Sequence, residues 1–247
     1  MNQPSVYRRE GIVTPSLCDA SFQLGIAQQF ALLQDIAAEH AEALGVGAAA
    51  MTERGAFWLV VHTRLDLFHR APMMAPLCVS TWPVRCAPED IRLVRRYRIT
   101  SGDMVLSEAK TEWMILNTHN GRLLRSRDAG FPTDMTFCED VVCPEPFLRA
   151  PDDWTEADAV FRRVVPASDI DYGSHMNNVA YVRTMLDSFP SEALCSLPVR
   201  RIEIRYGEPC REGDEITVFL RETDTGCLLA IRKPNGKTAA SAVLIRR

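Results

Sequence analysis

The feature that most constrains this chain is an order of segments that occurs twice. Across residues 25–44 the apolar residues Ile26, Phe30, Leu33, Ile36 and Ala37 recur at helical spacing, and the pattern stops at Gly45 and Gly47. Strand-like segments follow at 56–67, 77–82, 91–100 and 105–116, with turn residues Ser101-Gly102-Asp103 and Asn120-Gly121 between or after them. Residues 132–153 then break the periodicity with Pro132, Pro144, Pro146, Pro151 and several acids, the signature of a linker crossing a surface. Beyond it the order returns: a strand at 160–165, a helix at 177–189 ending at Pro190, and strands at 200–206, 215–221, 227–233 and 238–246. A helix followed by an antiparallel meander, twice, predicts an α+β fold rather than the strand–helix alternation of a doubly wound sheet.

Two internal pairings support a duplication. IAQQFALLQDI (26–36) aligns with HMNNVAYVRTM (175–185), and RLDLFHRAPMMAPLCVSTW (64–82) with RIEIRYGEPCREGDEITVF (201–219). They predict an N-terminal module at 1–131, a linker at 132–153 and a C-terminal module at 154–247. By this pairing the positions facing Asp171 and His175 are the apolar Phe22 and Ile26, so the first copy is expected to be catalytically silent.

Composition narrows the functional classes. A net charge of −4 over 247 residues gives no field that would mark a nucleic-acid or membrane-surface binder. Arginines fall in short clusters, Arg92/Arg95/Arg96/Arg98, Arg122/Arg125/Arg127 and Arg200/Arg201/Arg205, which reflect either base composition or sites for phosphate or an acidic protein. The eight cysteines form no CxxC pair and no Cys/His grouping at zinc spacing, so they read as reduced thiols with no metal site. MNQPSVYRRE carries no apolar leader and no apolar run reaches the ~20 residues of a membrane span, which predicts a cytoplasmic protein. No nucleotide-binding glycine pattern is present.

The run DYGSHMNN, residues 171–178, concentrates chemistry at the start of the second helix. A carboxylate, an imidazole and two amides lie within eight residues, where unsatisfied helix N–H groups and the positive end of the dipole face one point. Asp171 suits a general base or nucleophile, and His175 suits carbonyl positioning or proton transfer. The alternative for Asp171 is an Asx-type turn, and for Asn177 and Asn178 a helix cap.

With its surroundings, Asp169-Ile170-Asp171-Tyr172-Gly173-Ser174-His175-Met176-Asn177-Asn178-Val179 resembles the active-site signature of the acyl-acyl-carrier-protein thioesterases of plants and bacteria. Trp113-Met114-Ile115-Leu116-Asn117 with Gly121-Arg122-Leu123 is similar to the strand and turn that close that family's first half. The resemblance implies two tandem hotdog modules, each a long helix wrapped by an antiparallel sheet, joined in one continuous sheet. It implies hydrolysis of acyl-carrier-protein thioesters to free fatty acid, with no cofactor beyond the phosphopantetheine on the substrate. The implied catalytic set is Asp171, His175 and Asn177, with Gly173 at a position where the family carries asparagine. Glu208 and Cys210 are further candidates, Glu208 preferred. Implied substrate-binding residues are Phe30, Leu33, Phe57, Trp58, Met73, Met74 and Asn178, and Arg200, Arg201 and Arg205 would meet the carrier and its phosphate. Alternatives are an acyl-coenzyme A hydrolase of the same fold, or a non-catalytic acyl or carrier-protein binding module. A tandem pair is expected as a monomer or weak homodimer.

Overall fold

In the computed structural model, which describes residues 5–247, the strands join one antiparallel sheet of eleven strands. The first half contains β1 (Tyr7–Ile12), α1 (Ile26–Ala43), α2 (Ala48–Glu53), β2 (Ala56–Leu67), β3 (Pro76–Pro83), β4 (Leu93–Ser101), β5 (Met104–Asn117) and the short β6 (Leu123–Leu124). The second contains β7 (Ala159–Val164), α3 (Asn178–Leu186), α4 (Ser191–Ser196), β8 (Val199–Tyr206), β9 (Glu215–Thr223), β10 (Gly226–Arg232) and β11 (Thr238–Arg246). The strand order is β1-β3-β4-β5-β2-β8-β11-β10-β9-β7, with β6 beside β5. Read from either end, this is the same sequence of equivalent strands, so two like modules meet at β2 and β8.

Helix α1 buries Ile26, Phe30, Leu33, Ile36 and Ala37 against the sheet, the stripe that its periodicity predicts, and Gly45 beyond it takes the left-handed φ of 71° that ends the run. Helix α3 begins one residue later than expected because Asn177 is its N-cap, and it stops at Leu186, before Phe189. Strand β1 and the single-turn helices α2 and α4 lie outside the sequence reading. β1 is an edge strand with most residues exposed, so it carries no apolar alternation.

The register of the duplication differs from the one expected. Matching elements place Ile26 opposite Asn178, not His175, and Arg64 opposite Glu203, not Arg201. Arg64 and Glu203 also pair with each other at the midpoint of the β2–β8 ladder, which runs from His62↔Arg205 to Asp66↔Arg201. An exact repeat would set like charges face to face there. Divergence has instead made the pair complementary.

Their side chains lie on the sheet face away from the helices, beneath the 132–153 segment. Arg64 is 1% exposed; its Nη2 meets Asp66 Oδ2 at 2.6 Å and Glu145 Oε2 at 2.7 Å. Burial alone would raise the Asp66 pKa, but hydrogen bonds from Arg64 and Arg201 outweigh it and hold the carboxyl below its usual range. Glu203 is buried, which pushes its pKa up, while its Oε2 accepts the Leu148 N–H at 2.7 Å. The segment is thereby bonded across the seam: Phe147 stacks on His62 at 4.0 Å and Val142 and Cys143 pack with Trp82. Burial pushes the Cys143 thiol up to about 12, an inert state.

Removing the central cation should leave two buried acids undercompensated. Arg64→Met is expected to cost about 3–5 kcal/mol in urea unfolding, with part recovered by adding Glu203→Gln. His62 gives a second expectation. Burial, then the nearby Arg205, Lys110 and Arg149, lower its pKa to about 4. Its neutral form is thus favoured in the folded protein. The stabilisation is complete above the unfolded value near 6.5 and is lost as pH falls toward 4. Denaturation series between those limits should show a decline on the order of 3 kcal/mol that His62→Phe largely removes.

Candidate active site

The DYGSHMNN loop is built by local hydrogen bonds. Asp171 N–H donates to the His175 carbonyl at 2.9 Å, Ser174 N–H to the Asp171 carbonyl at 2.9 Å, and Gly173 N–H to Asp171 Oδ1 at 2.8 Å. Ser174 takes a left-handed φ of 59° to close the turn. Met176 N–H then bonds the Cys210 carbonyl, and Asn177 N–H bonds the Asp169 carbonyl, both at 2.8 Å. Asn177 Oδ1 caps α3 by accepting the Val179 N–H at 2.8 Å. The turn and cap roles are therefore realised for Asp171 and Asn177. Asp171 keeps its second oxygen free of any hydrogen bond among the described residues.

His175 is half-buried, and its imidazole makes no hydrogen bond among the described residues. The Asn178 N–H at the first turn of α3 is likewise unclaimed. An imidazole, a carboxylate oxygen and a helix N–H thus remain available on one short loop. Gly173 supplies no comparable donor, since its N–H is spent on Asp171.

Gly173 has a steric reason. A Cβ built there would lie 2.9 Å from Phe57 Cζ and 3.1 Å from Asp171 Oδ1. Phe57 reaches under the loop from β2 of the first half, and its ring lies 6.3 Å from that of Tyr172. The site is therefore formed between the two modules.

Two cavities lie along α1 and adjoin the loop through Tyr172 and through Asn178 and Val179. The nearer is small, ≈ 20 Å³, and is lined by Phe30, Leu33 and Gln34 of α1, Trp113, and Asn178 and Val179 of α3. The second, ≈ 110 Å³, is lined by Gln34, Ala37, Trp58, Arg95, Trp113 and Tyr172 among others. They share Gln34 and Trp113 in their linings.

The remaining expected residues fall elsewhere. Met73 and Met74 are 36% and 60% exposed beside Phe22, outside both cavities, because they belong to the turn between β2 and β3. Glu208 turns to Lys237, 3.3 Å away, at the surface. Cys210 is fully buried under the loop, with its thiol pKa raised by burial and its N–H donated to Tyr181 Oη at 2.8 Å. Arg201 is committed to Asp66 at 2.6 Å on the opposite face of the sheet, and Arg205 lines a surface groove there with Lys237. Arg200 is exposed on the same strand. The arginine cluster is thus not gathered at the loop. Among the described residues no group of three His, Cys, Asp or Glu side chains could hold a metal, and no helix is long and apolar enough to cross a membrane.

The first half carries a counterpart loop that the expected pairing missed. Asp19 N–H bonds the Gln23 carbonyl, Phe22 N–H the Asp19 carbonyl, and Ser21 N–H Asp19 Oδ1, and Phe22 has a φ of 59°. Asp19 therefore matches Asp171, and Gln23 matches His175. Here the carboxylate is consumed by Arg70 and by Ser21 Oγ.

A helix wrapped by its sheet, duplicated, with a polar loop at the start of the second copy's helix, defines a tandem hotdog protein. Residues 4–129 match the acyl-ACP thioesterase N-terminal domain and residues 155–245 its C-terminal domain. The chain belongs to the acyl-ACP thioesterase family. It is 24% identical over 236 residues to oleoyl-acyl carrier protein thioesterase 2, chloroplastic, of Arabidopsis thaliana, and 23% identical over 206 residues to oleoyl-acyl carrier protein thioesterase, chloroplastic, of Coriandrum sativum. These alignments cover 85% and 75% of this chain but only 61% and 54% of those proteins, so the chain spans little more than half the length of the curated relatives it matches. An acyl-ACP thioesterase from Bacteroides thetaiotaomicron shares the fold over 98% of both chains, with a TM-score of 0.88 at 21% identity. The 12:0-ACP thioesterase from Umbellularia californica does so over 99% of this chain and 95% of its own, with a TM-score of 0.82 at 16% identity.

The Gly173–Phe57 contact yields a double-mutant cycle. Gly173→Asn should lower stability by about 1–3 kcal/mol through overpacking, and Phe57→Leu in the same chain should recover most of it. Thermal unfolding of the four proteins measures the coupling.

Proposed function

We propose that this protein hydrolyses acyl-carrier-protein thioesters to the free acid and the carrier thiol. The observation that carries this is the combination at the α3 start of an anchored Asp171, an unbonded His175 and an unclaimed Asn178 N–H, next to a cavity that Asn178 lines together with α1 and strands of the other module.

The acyl chain lies along α1 between Phe30, Leu33, Trp58 and Trp113, and its carbonyl rests at the first turn of α3. Asp171 uses its free oxygen to take a proton from the attacking water. Charge developing on the carbonyl oxygen is met by the Asn178 N–H and the α3 dipole, which are oriented before the reaction starts. His175 orients the carbonyl and delivers the proton to the departing thiolate. The first half supplies the pocket and stays catalytically silent, because Asp19 is neutralised by Arg70 and Gln23 stands where the imidazole would be.

Asp171→Asn keeps an oxygen for the Gly173 N–H and removes the base. It is expected to lose at least ~100-fold in kcat with little change in melting temperature. His175→Ala should lose a comparable factor. Turnover is measured on acyl-carrier-protein and acyl-coenzyme A substrates in parallel; wild-type rates in Asp171→Asn would remove Asp171 from the mechanism, and a preference for coenzyme A would replace the carrier as substrate.

A further inference from the structure

Strand β4 alternates cleanly, with Leu93, Arg95, Tyr97 and Ile99 turned toward α1 and Val94, Arg96 and Arg98 turned away. The outward arginines are ordinary. Arg98 pairs with Glu108 and Asp140, and Arg96 donates to the Asp140 carbonyl. Arg95 is not. It stands on the apolar face, 7% exposed, in the lining of the larger cavity beside the active-site loop.

No carboxylate lies within ion-pair distance of Arg95 among the described residues, and those not described include no acid. Its Nη1 donates to His40 Nδ1 at 2.9 Å and to Thr81 Oγ1 at 3.3 Å. These neutral acceptors engage one of its three nitrogens. The others have no partner among the described residues. Burial lowers the Arg95 pKa, yet a guanidinium keeps its proton in a protein. A buried cation without an anion is costly, and evolution of a purely hydrocarbon pocket would remove it. The equivalent position in the second half, on β10, is Cys227, a buried thiol with no charge burden.

A second polar atom points the same way. Gln34 Oε1 is buried with no hydrogen-bond partner, and Gln34 lines both cavities. Glu42 and Tyr172 also stand in the lining of the larger cavity, Glu42 beyond ion-pair distance of Arg95, and the remainder, including Ala37, Ala41, Trp58, Leu93, Trp113 and Phe131, is apolar or aromatic. Both indole N–H groups are already used, Trp58 on the Val46 carbonyl and Trp113 on Thr111 Oγ1. The polar capacity left in the lining is thus a strong donor fork at Arg95, an acceptor at Gln34, and the Glu42 carboxylate and Tyr172 hydroxyl.

We infer that this pocket selects acyl chains bearing an oxygen substituent beyond the thioester, a hydroxyl, oxo or carboxylate group, which Arg95 binds at the distal end of the path. The inference rests on the acyl-thioester reading of the site and specifies its substrate class. A saturated chain would leave the Arg95 fork buried and unpaired. An oxygen on the chain completes it, and a hydroxyl also donates to Gln34.

The test uses the full chain and carrier-protein thioesters in matched series of saturated, ω-hydroxy and ω-carboxy acyl groups over a range of lengths. At the best-fitting length an oxygenated substrate should exceed the saturated one by at least ~10-fold in kcat/KM, the range for a hydrogen bond to a charged group. Arg95→Met should erase that preference, read as the ratio of oxygenated to saturated kcat/KM within the variant. The ω-hydroxy and ω-carboxy arms separate a neutral from an anionic substituent. Equal or better turnover of saturated substrates by the wild type at every length overturns the inference, as does an unchanged ratio in Arg95→Met. If Arg95→Met does not fold, the wild-type ratio decides alone. Binding of non-hydrolysable acyl-pantetheine amides, saturated and oxygenated, followed by Trp58 and Trp113 fluorescence, is read separately. Oxygen-selective binding without hydrolysis would sink the hydrolase reading and keep the pocket assignment, whereas hydrolysis without selectivity would do the reverse.

Discussion

The pairing of β2 with β8 is the constraint from which the rest of the molecule follows. It joins two open sheets into one, with β1 and β7 at the two ends of the strand path. It also fixes how α1 and α3 approach, and so decides that the α3 loop opens on residues of the other module. The mid-point of that ladder is chemically unusual because Arg64 and Glu203 are both equivalent and opposed. Two copies of the first half would bring arginine against arginine in a buried place. The chain therefore encodes a specific unlike pair, and the segment between modules seals it by bonding to both sides.

Burying these charges is a poor way to gain stability compared with apolar packing. Its effect is on register. A slip of β8 along β2 would separate Arg64 from Glu203 and Arg201 from Asp66, so correct and shifted pairings differ in energy. Register at the seam is also alignment at the site, since Phe57 at one end of β2 must arrive under Gly173.

The helices, the meanders and the polar loop were legible in the sequence because periodicity and turn chemistry are local properties. The register of the duplication was not. A helix pairing displaced by one turn and a strand pairing displaced by two residues both keep the buried face in phase, so periodicity alone does not distinguish them from the true register. The better signal was Ser16-Leu17-Cys18-Asp19-Ala20-Ser21 against Ser168-Asp169-Ile170-Asp171-Tyr172-Gly173, where turn-forming carboxylates coincide. Long-range facts were also invisible. Nothing near Glu208 announces Lys237, nothing near Arg201 announces Asp66, and the placement of Met73 and Met74 depends on which way a turn faces. Arg95 could have been noticed as a charge at an inward position of an alternating strand, but the surrounding arginines obscured it.

The counterpart loop at Asp19 has the same backbone as the one at Asp171, down to a left-handed residue that in the first half is a phenylalanine. A bulky aromatic is an unfavourable occupant of that conformation, yet it is kept in a loop whose carboxylate is paired with Arg70. The turn is therefore part of how a strand is led into the central helix, required by the architecture in both modules. It follows that the orientation of Asp171 was inherited from a structural joint. Under the proposed function, the chemistry of the second half needs only the imidazole four residues later and the absence of an arginine to consume the carboxylate, so the two loops differ by side chains set on identical masonry.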